Sequence, residues 1–214
     1  MDFTPKQIKL CLDMAQNLRE AYFHSSHNAG HTHISVNALL HMVQTTYGKK
    51  VTLYFHDDSY EDHHVYSLLY VDKGGSYHIC LMSKMSNCWN RFALCKELFH
   101  VILDEEDVRN SSLINHLRDF RSSMIDSDNG GRDSSKSEFL TEFAAMQFLF
   151  PYAKRLDCLK EIDNRTAVGE SKKAVFTDIA TRLRIPRLLT EDYLGNTLID
   201  LFDPISWIDK SDNR

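Results

Sequence analysis

Residues 96–100 read Lys-Glu-Leu-Phe-His. On an α-helix, residues i and i+4 share a face, so two histidines at that spacing can hold one divalent metal ion. A glutamate at i+1 then reaches the metal-bound water and takes its proton. Here Glu97 stands at the general-base position and His100 at the second ligand position, but Lys96 occupies the first. An ammonium has three donors and no lone pair to give, so it is no metal ligand. Alone, Glu-x-x-His is a weak pattern, because such a pair occurs incidentally on many helices.

A second segment supplies context. Residues 137–151 read Ser-Glu-Phe-Leu-Thr-Glu-Phe-Ala-Ala-Met-Gln-Phe-Leu-Phe-Pro. Aligned backwards from Pro151, this resembles the glutamate-bearing helix of the ImmA/IrrE-type metallopeptidases, which are zincins. Glu138 falls on that family's third metal ligand and Thr141 on its usual small residue. Glu142 follows one turn after Glu138. Arg91-Phe92-Ala93-Leu94-Cys95 is similar to the family's lead-in to its motif, and Asp178 to Pro186 resembles a helix often found after it. The order of elements agrees over roughly residues 35–160, and the combination carries the likeness.

That resemblance implies an α+β, zincin-like fold with the site between a small sheet and a helical lobe. It also implies a cytoplasmic regulatory protein of phage, mobile-element or stress-response type that engages a repressor or related protein. Were the family reaction retained, Glu97 would be the base, with His100 and Glu138 as zinc ligands. Catalytic zinc takes three protein ligands plus water, and with Lys96 in the first position only two remain. Lys96 and His100 share a face toward which Glu138 should point. The ammonium can therefore stand in the metal's place and neutralise Glu97 and Glu138, giving a pseudo-protease that binds a protein partner without cutting it. The alternative is an active zinc endopeptidase with a repaired site. Asp104, one turn beyond His100, is the best local candidate for the missing ligand, and His116 is another.

Other groups have plainer readings. His24, His27, His31 and His33 are a histidine-rich tract of a kind that binds zinc, nickel or copper, and also fit a solvated connection between helices. His63-His64, after several acidic residues, reads as a polar turn. Cys95 and His100 are five residues apart and point to different helix faces, so Cys95 is a core residue rather than a nucleophile. Asp104 to Asp107 is an acidic helix exit. Residues 176–194 could form a DNA-binding helix-turn-helix, which makes a DNA-binding regulator a further alternative. Against it, residues 170–214 hold seven Lys/Arg and eight Asp/Glu, and a recognition helix opening Arg187-Leu188-Leu189 is unusually apolar.

The elements that must position these residues follow from pattern and composition. The 214 residues suit one zincin-like domain: N-terminal helices over 1–50, sheet and motif helices over 51–160, and a helical extension over 161–214. Apolar content of 43% and charged content of 26% are ordinary for globular chains, which excludes general disorder. The net charge of −5 argues against non-specific binding to nucleic acid or anionic membranes. No apolar run approaches the roughly 20 residues of a membrane span, and Met1 to Leu12 reads as an amphipathic helix rather than a signal peptide. Five scattered cysteines without a C-x-x-C pair fit a reducing compartment.

Thr4-Pro5-Lys6-Gln7 predicts a helix start, with an apolar face from Ile8 to Tyr22, and a second helix runs from near Ser35 to Tyr47. Residues 51–55, 66–71 and 77–82 predict a small, mostly antiparallel sheet with a hairpin at Gly74-Gly75. A buried helix opens at Ser86 or Asn87. A short helix is expected over 113–120, then a surface loop over 126–135, and a helix over 137–150 that stops at Pro151. Helices over 174–183 and 188–202 close the chain.

Overall fold

The computed structural model describes residues 5–24, 34–57, 67–103 and 132–195. The fold is α+β. Helix α1 runs Pro5–His24 and buries Cys11, Leu12, Ala15, Leu18 and Tyr22 at the expected helical spacing. His24 is its last residue rather than part of the following connection, and its Nδ1 donates to the Glu20 carbonyl at 2.7 Å. Helix α2, Val36–Thr46, is capped by Ser35, whose Oγ accepts from the Ala38 amide at 3.4 Å. It buries Val36, Leu39 and Val43, and Gly48 at φ +63° turns the chain into the sheet.

The sheet is mixed, which corrects the mostly antiparallel expectation. Strands β1 (Val51–His56), β2 (Ser67–Val71) and β3 (Tyr77–Met82) lie in the order β1-β3-β2. Strand β2 pairs antiparallel with β3 through the hairpin, Ser67 opposite Leu81 and Val71 opposite Tyr77. Strand β1 pairs parallel with β3, Val51 opposite Tyr77 and His56 opposite Met82. The strand runs were legible because composition marks a strand, but composition does not say which edge a strand joins. Strand β3 is central and alternates buried and half-buried residues, with Tyr77, Ile79 and Leu81 inward.

The β2–β3 turn is held by one side chain. Asp72 Oδ1 accepts from the amides of Gly74 at 2.8 Å and Ser76 at 2.9 Å, while Oδ2 meets His78 Nε2 at 3.0 Å. His78 is stacked on Tyr70, 4.5 Å between ring centres, and lies 3.2 Å from the Tyr54 hydroxyl. The His78 hydrogen bond and the two amides hold the Asp72 carboxyl below its ordinary value of 3.8. A carboxyl depressed on folding stabilises above its unfolded value, and that contribution fades as pH falls through the folded value. Removing it in Asp72→Asn should therefore destabilise the protein near neutrality. The gap between the two proteins should narrow as pH falls from about 4 toward about 2, as urea denaturation across that range would show. A gap constant over that range would separate Asp72 from the acid response.

Helix α3, Asn87–Leu103, begins behind Ser86, whose Oγ accepts from the Trp89 amide at 3.4 Å. It is buried over most of its circumference from Phe92 onward, because the sheet covers one side and helices cover the other. Helix α4, Arg132–Leu149, packs on both α1 and α3. It starts before the expected Ser137, so residues 132–135 are helical rather than the end of a loop. Asp, Ser and Ser at 133–135 are residue types at home at a helix start as well as in turns, which is why the pattern was ambiguous there. Phe99 of α3 and Phe148 of α4 meet edge-on at 5.9 Å, and Tyr22 of α1 meets Phe148 at 6.4 Å.

Pro151 ends α4, as expected, and caps α5, Tyr152–Ala167. Helices α6 (Lys172–Leu183) and α7 (Arg187–Leu194) follow. Helix α7 stops at Gly195 rather than continuing as the 188–202 expectation had it, and residues 196–202 lie outside the described residues. Arg155, 1% exposed, joins α5 to α7: its Nε donates to the Tyr193 carbonyl at 2.6 Å, with the rings of Tyr152 and Tyr193 at 5.9 Å. The short helix expected over 113–120, and His27, His31, His33, His63, His64, Asp104 and His116, lie outside the described residues.

Candidate functional site

Lys96, Glu97 and His100 lie on α3 where it passes between the sheet and α4. Glu97 and His100 are each 3% exposed, so both polar groups are in the core and need partners. Glu97 has two. The Ser67 hydroxyl donates to its Oε1 at 2.5 Å, and the Lys96 ammonium lies 3.2 Å from the same oxygen. The Lys96 side chain keeps 17% exposure, consistent with a long stem reaching inward along apolar surface. His100 faces α4, where its Nε2 lies 2.9 Å from the hydroxyl of Thr141, a residue with no exposed surface.

The local sequence explains these positions. Ser67, Leu69 and Val71 share one face of β2, the face packed on α3, so the first inward residue of that strand is a hydroxyl in an otherwise apolar row. The alternation along β2 is the signal that marks Ser67 as an inward polar residue. On α4, Thr141 is followed by Phe143, Ala144 and Ala145, all buried. The two alanines let the helix pack closely, and Thr141 was anticipated as a small residue but not as the partner of His100.

Glu138 belongs to α4, three residues before Thr141, as the alignment on Pro151 requires. Its side chain lies outside the described residues, so its meeting with Lys96 or His100 belongs to the expectations. Glu142 lies on the same helix and is half-buried. Cys95 is fully buried and burial pushes its thiol far up, which fits a core residue and no nucleophile. All five cysteines are free thiols.

Whether zinc fits can be asked of these donors. The described groups offer one imidazole, a carboxylate already paired, and an ammonium in the first-ligand position. No cluster of three or more His, Cys, Asp or Glu able to hold a metal occurs among the described residues. These groups do not by themselves make a zinc site.

The helix-turn-helix candidate also has a geometry. Helices α6 and α7 are joined by Arg184, Ile185 and Pro186, with Arg184 in the left-handed region at φ 55°. Their buried face holds Val175, Phe176, Ile179, Ile185, Tyr193 and Leu194, which are part of the main core. The outward groups are poor for phosphate: Arg187 is paired with Glu191 at 2.5 Å, Arg182 with Glu161 at 2.6 Å, and Leu188 is 58% exposed. This favours the pair as a cover for the core. Among the described residues no helix is long and apolar enough to cross a membrane.

No family model matches the chain, and no curated protein matches it. Among solved structures it is similar to a Mycobacterium tuberculosis transcriptional regulator, at 14% identity and a TM-score of 0.36. The match covers 82% of this chain and 50% of that one, so the chain spans about half the length of that protein. A likeness of that size carries no argument about function.

Proposed function

We propose that this chain is a metal-free protein built on the ImmA/IrrE-type metallopeptidase pattern, a regulatory protein that holds a protein partner rather than cutting it. The observation that carries this reading is the ion pair between Lys96 and the buried Glu97, 3.2 Å apart. Glu97 stands where the pattern has its general base, and a base must be free to take a proton from water. Bound to an ammonium and a serine hydroxyl, its carboxylate is instead a satisfied buried anion. The lysine then contributes in the core the positive charge that a metal would otherwise bring. The fold is kept and the reaction is lost.

The test is metal content and cleavage together. Protein purified without chelator should contain zinc, manganese, iron and nickel well below one equivalent by elemental analysis. A peptide library incubated with it and added zinc should stay intact by mass spectrometry. One firmly held metal per chain, or metal-dependent cleavage abolished by Glu97→Gln, would establish a working peptidase with a repaired site.

A further inference from the structure

We infer that Thr141 is a second, independent lock on the same site, opposing metal at His100 Nε2 whatever residue stands at position 96. The inference rests on the reading of residues 96–100 as a degenerate metal-binding segment, and the donor geometry carries it further. Thr141 Oγ1 lies 2.9 Å from His100 Nε2, and both residues are buried. A hydroxyl and a ring nitrogen at that distance share one proton in one of two ways. Either Thr141 donates into the Nε2 lone pair, or Nε2 carries the proton and donates to Thr141. In both cases Nε2 has no lone pair left for a metal.

Space leads to the same conclusion. Zinc sits about 2.0–2.1 Å from an imidazole nitrogen, so an ion on the line between these two atoms would lie about 0.8–0.9 Å from the threonine oxygen. The two cannot coexist, and metal would have to displace the hydroxyl within a packed helix interface. Thr141 projects from α4 beside Ala144 and Ala145, which have no exposed surface, so little room is open for that movement. The site is therefore closed from two sides: Lys96 on α3 with its charge, and Thr141 on α4 with its hydroxyl.

The experiment is calorimetric titration with zinc chloride of the natural protein and of Lys96→His, Thr141→Ala, Lys96→His/Thr141→Ala and Lys96→His/Thr141→Ser. Circular dichroism and thermal melting of each would verify folding. The Lys96→His/Thr141→Ala protein should bind one zinc per chain up to about tenfold more tightly than Lys96→His alone, the return of one hydrogen bond that the metal no longer has to break. Lys96→His/Thr141→Ser keeps the hydroxyl and should behave like Lys96→His. Equal affinity of Lys96→His and Lys96→His/Thr141→Ala, or zinc binding by neither, would overturn the second lock while leaving the metal-free reading in place. Tight stoichiometric binding by the natural protein would overturn that reading itself.

Discussion

Replacing Lys96 by methionine should destabilise the protein by about 3–5 kcal/mol, because it leaves the Glu97 carboxylate in the core without its ammonium. Methionine keeps most of the stem volume, so lost packing contributes little and the loss reports the charge. The lysine side chain retains 17% exposure against 4% for the glutamate, which places the expected value toward the lower end of that range. Ser67 still donates to Glu97, and a hydrogen bond to a charged group offsets only about 1.5–3 kcal/mol of its burial. Adding Glu97→Gln to Lys96→Met removes the orphaned charge, and most of the stability should return. Urea denaturation of the natural protein, both single variants and Lys96→Met/Glu97→Gln closes the cycle. A Lys96→Met effect within about 0.5 kcal/mol, the range of an ordinary surface change, would show that the ammonium has no structural role.

How far the sequence could lead depended on the kind of signal. The helices were legible where apolar spacing and caps agreed: Ser35 and Gly48 bracket α2, and Pro151 divides α4 from α5. The placement of Lys96, Glu97 and His100 on one buried helix followed from spacing alone, since i and i+4 share a face wherever the helix packs. What could not be read was everything set by partners distant in sequence. Strand β1 joins β3 in parallel, a choice made by tertiary packing that no residue in either strand announces. Ser67 is 30 residues from Glu97 and Thr141 is 41 from His100, and both are common residue types whose role exists only once the elements meet. The charged half of the site was thus visible in the chain. The hydroxyls that satisfy it were not.

Replacing Arg91 by alanine should cost about 2–4 kcal/mol and should loosen the C-terminal helix pair more than the sheet. Arg91 stands one turn and a half before Lys96 on α3, and its guanidinium serves three backbone carbonyls from two distant segments. Nε and Nη2 donate to the Ile34 carbonyl at 3.2 and 3.0 Å, just before the Ser35 cap of α2. Nη1 donates to the carbonyls of Leu183 at 3.1 Å and Arg184 at 3.0 Å, where α6 ends. That end is demanding. Arg184 adopts left-handed geometry, with φ 55°, which costs a residue with a side chain about 1–2 kcal/mol. The carbonyls at a helix C-terminus also concentrate partial negative charge, so a cation there is favourable. Burial holds the Arg91 pKa below its ordinary value, a sign that its charge has been drawn out of water to make these contacts. Lysine cannot reproduce the fork, so Arg91→Lys should recover less than half of the loss. Arg182→Ala removes a solvent-accessible pair between Arg182 of α6 and Glu161 of α5 and serves as the control, with an expected effect of about 0–1 kcal/mol. Native-state hydrogen exchange locates the damage: in Arg91→Ala the amides of α6 and α7 should lose protection while those of β3 keep theirs. If α6 and β3 lose protection together and equally, Arg91 supports the whole core and is not a local clamp between α3 and the C-terminal pair.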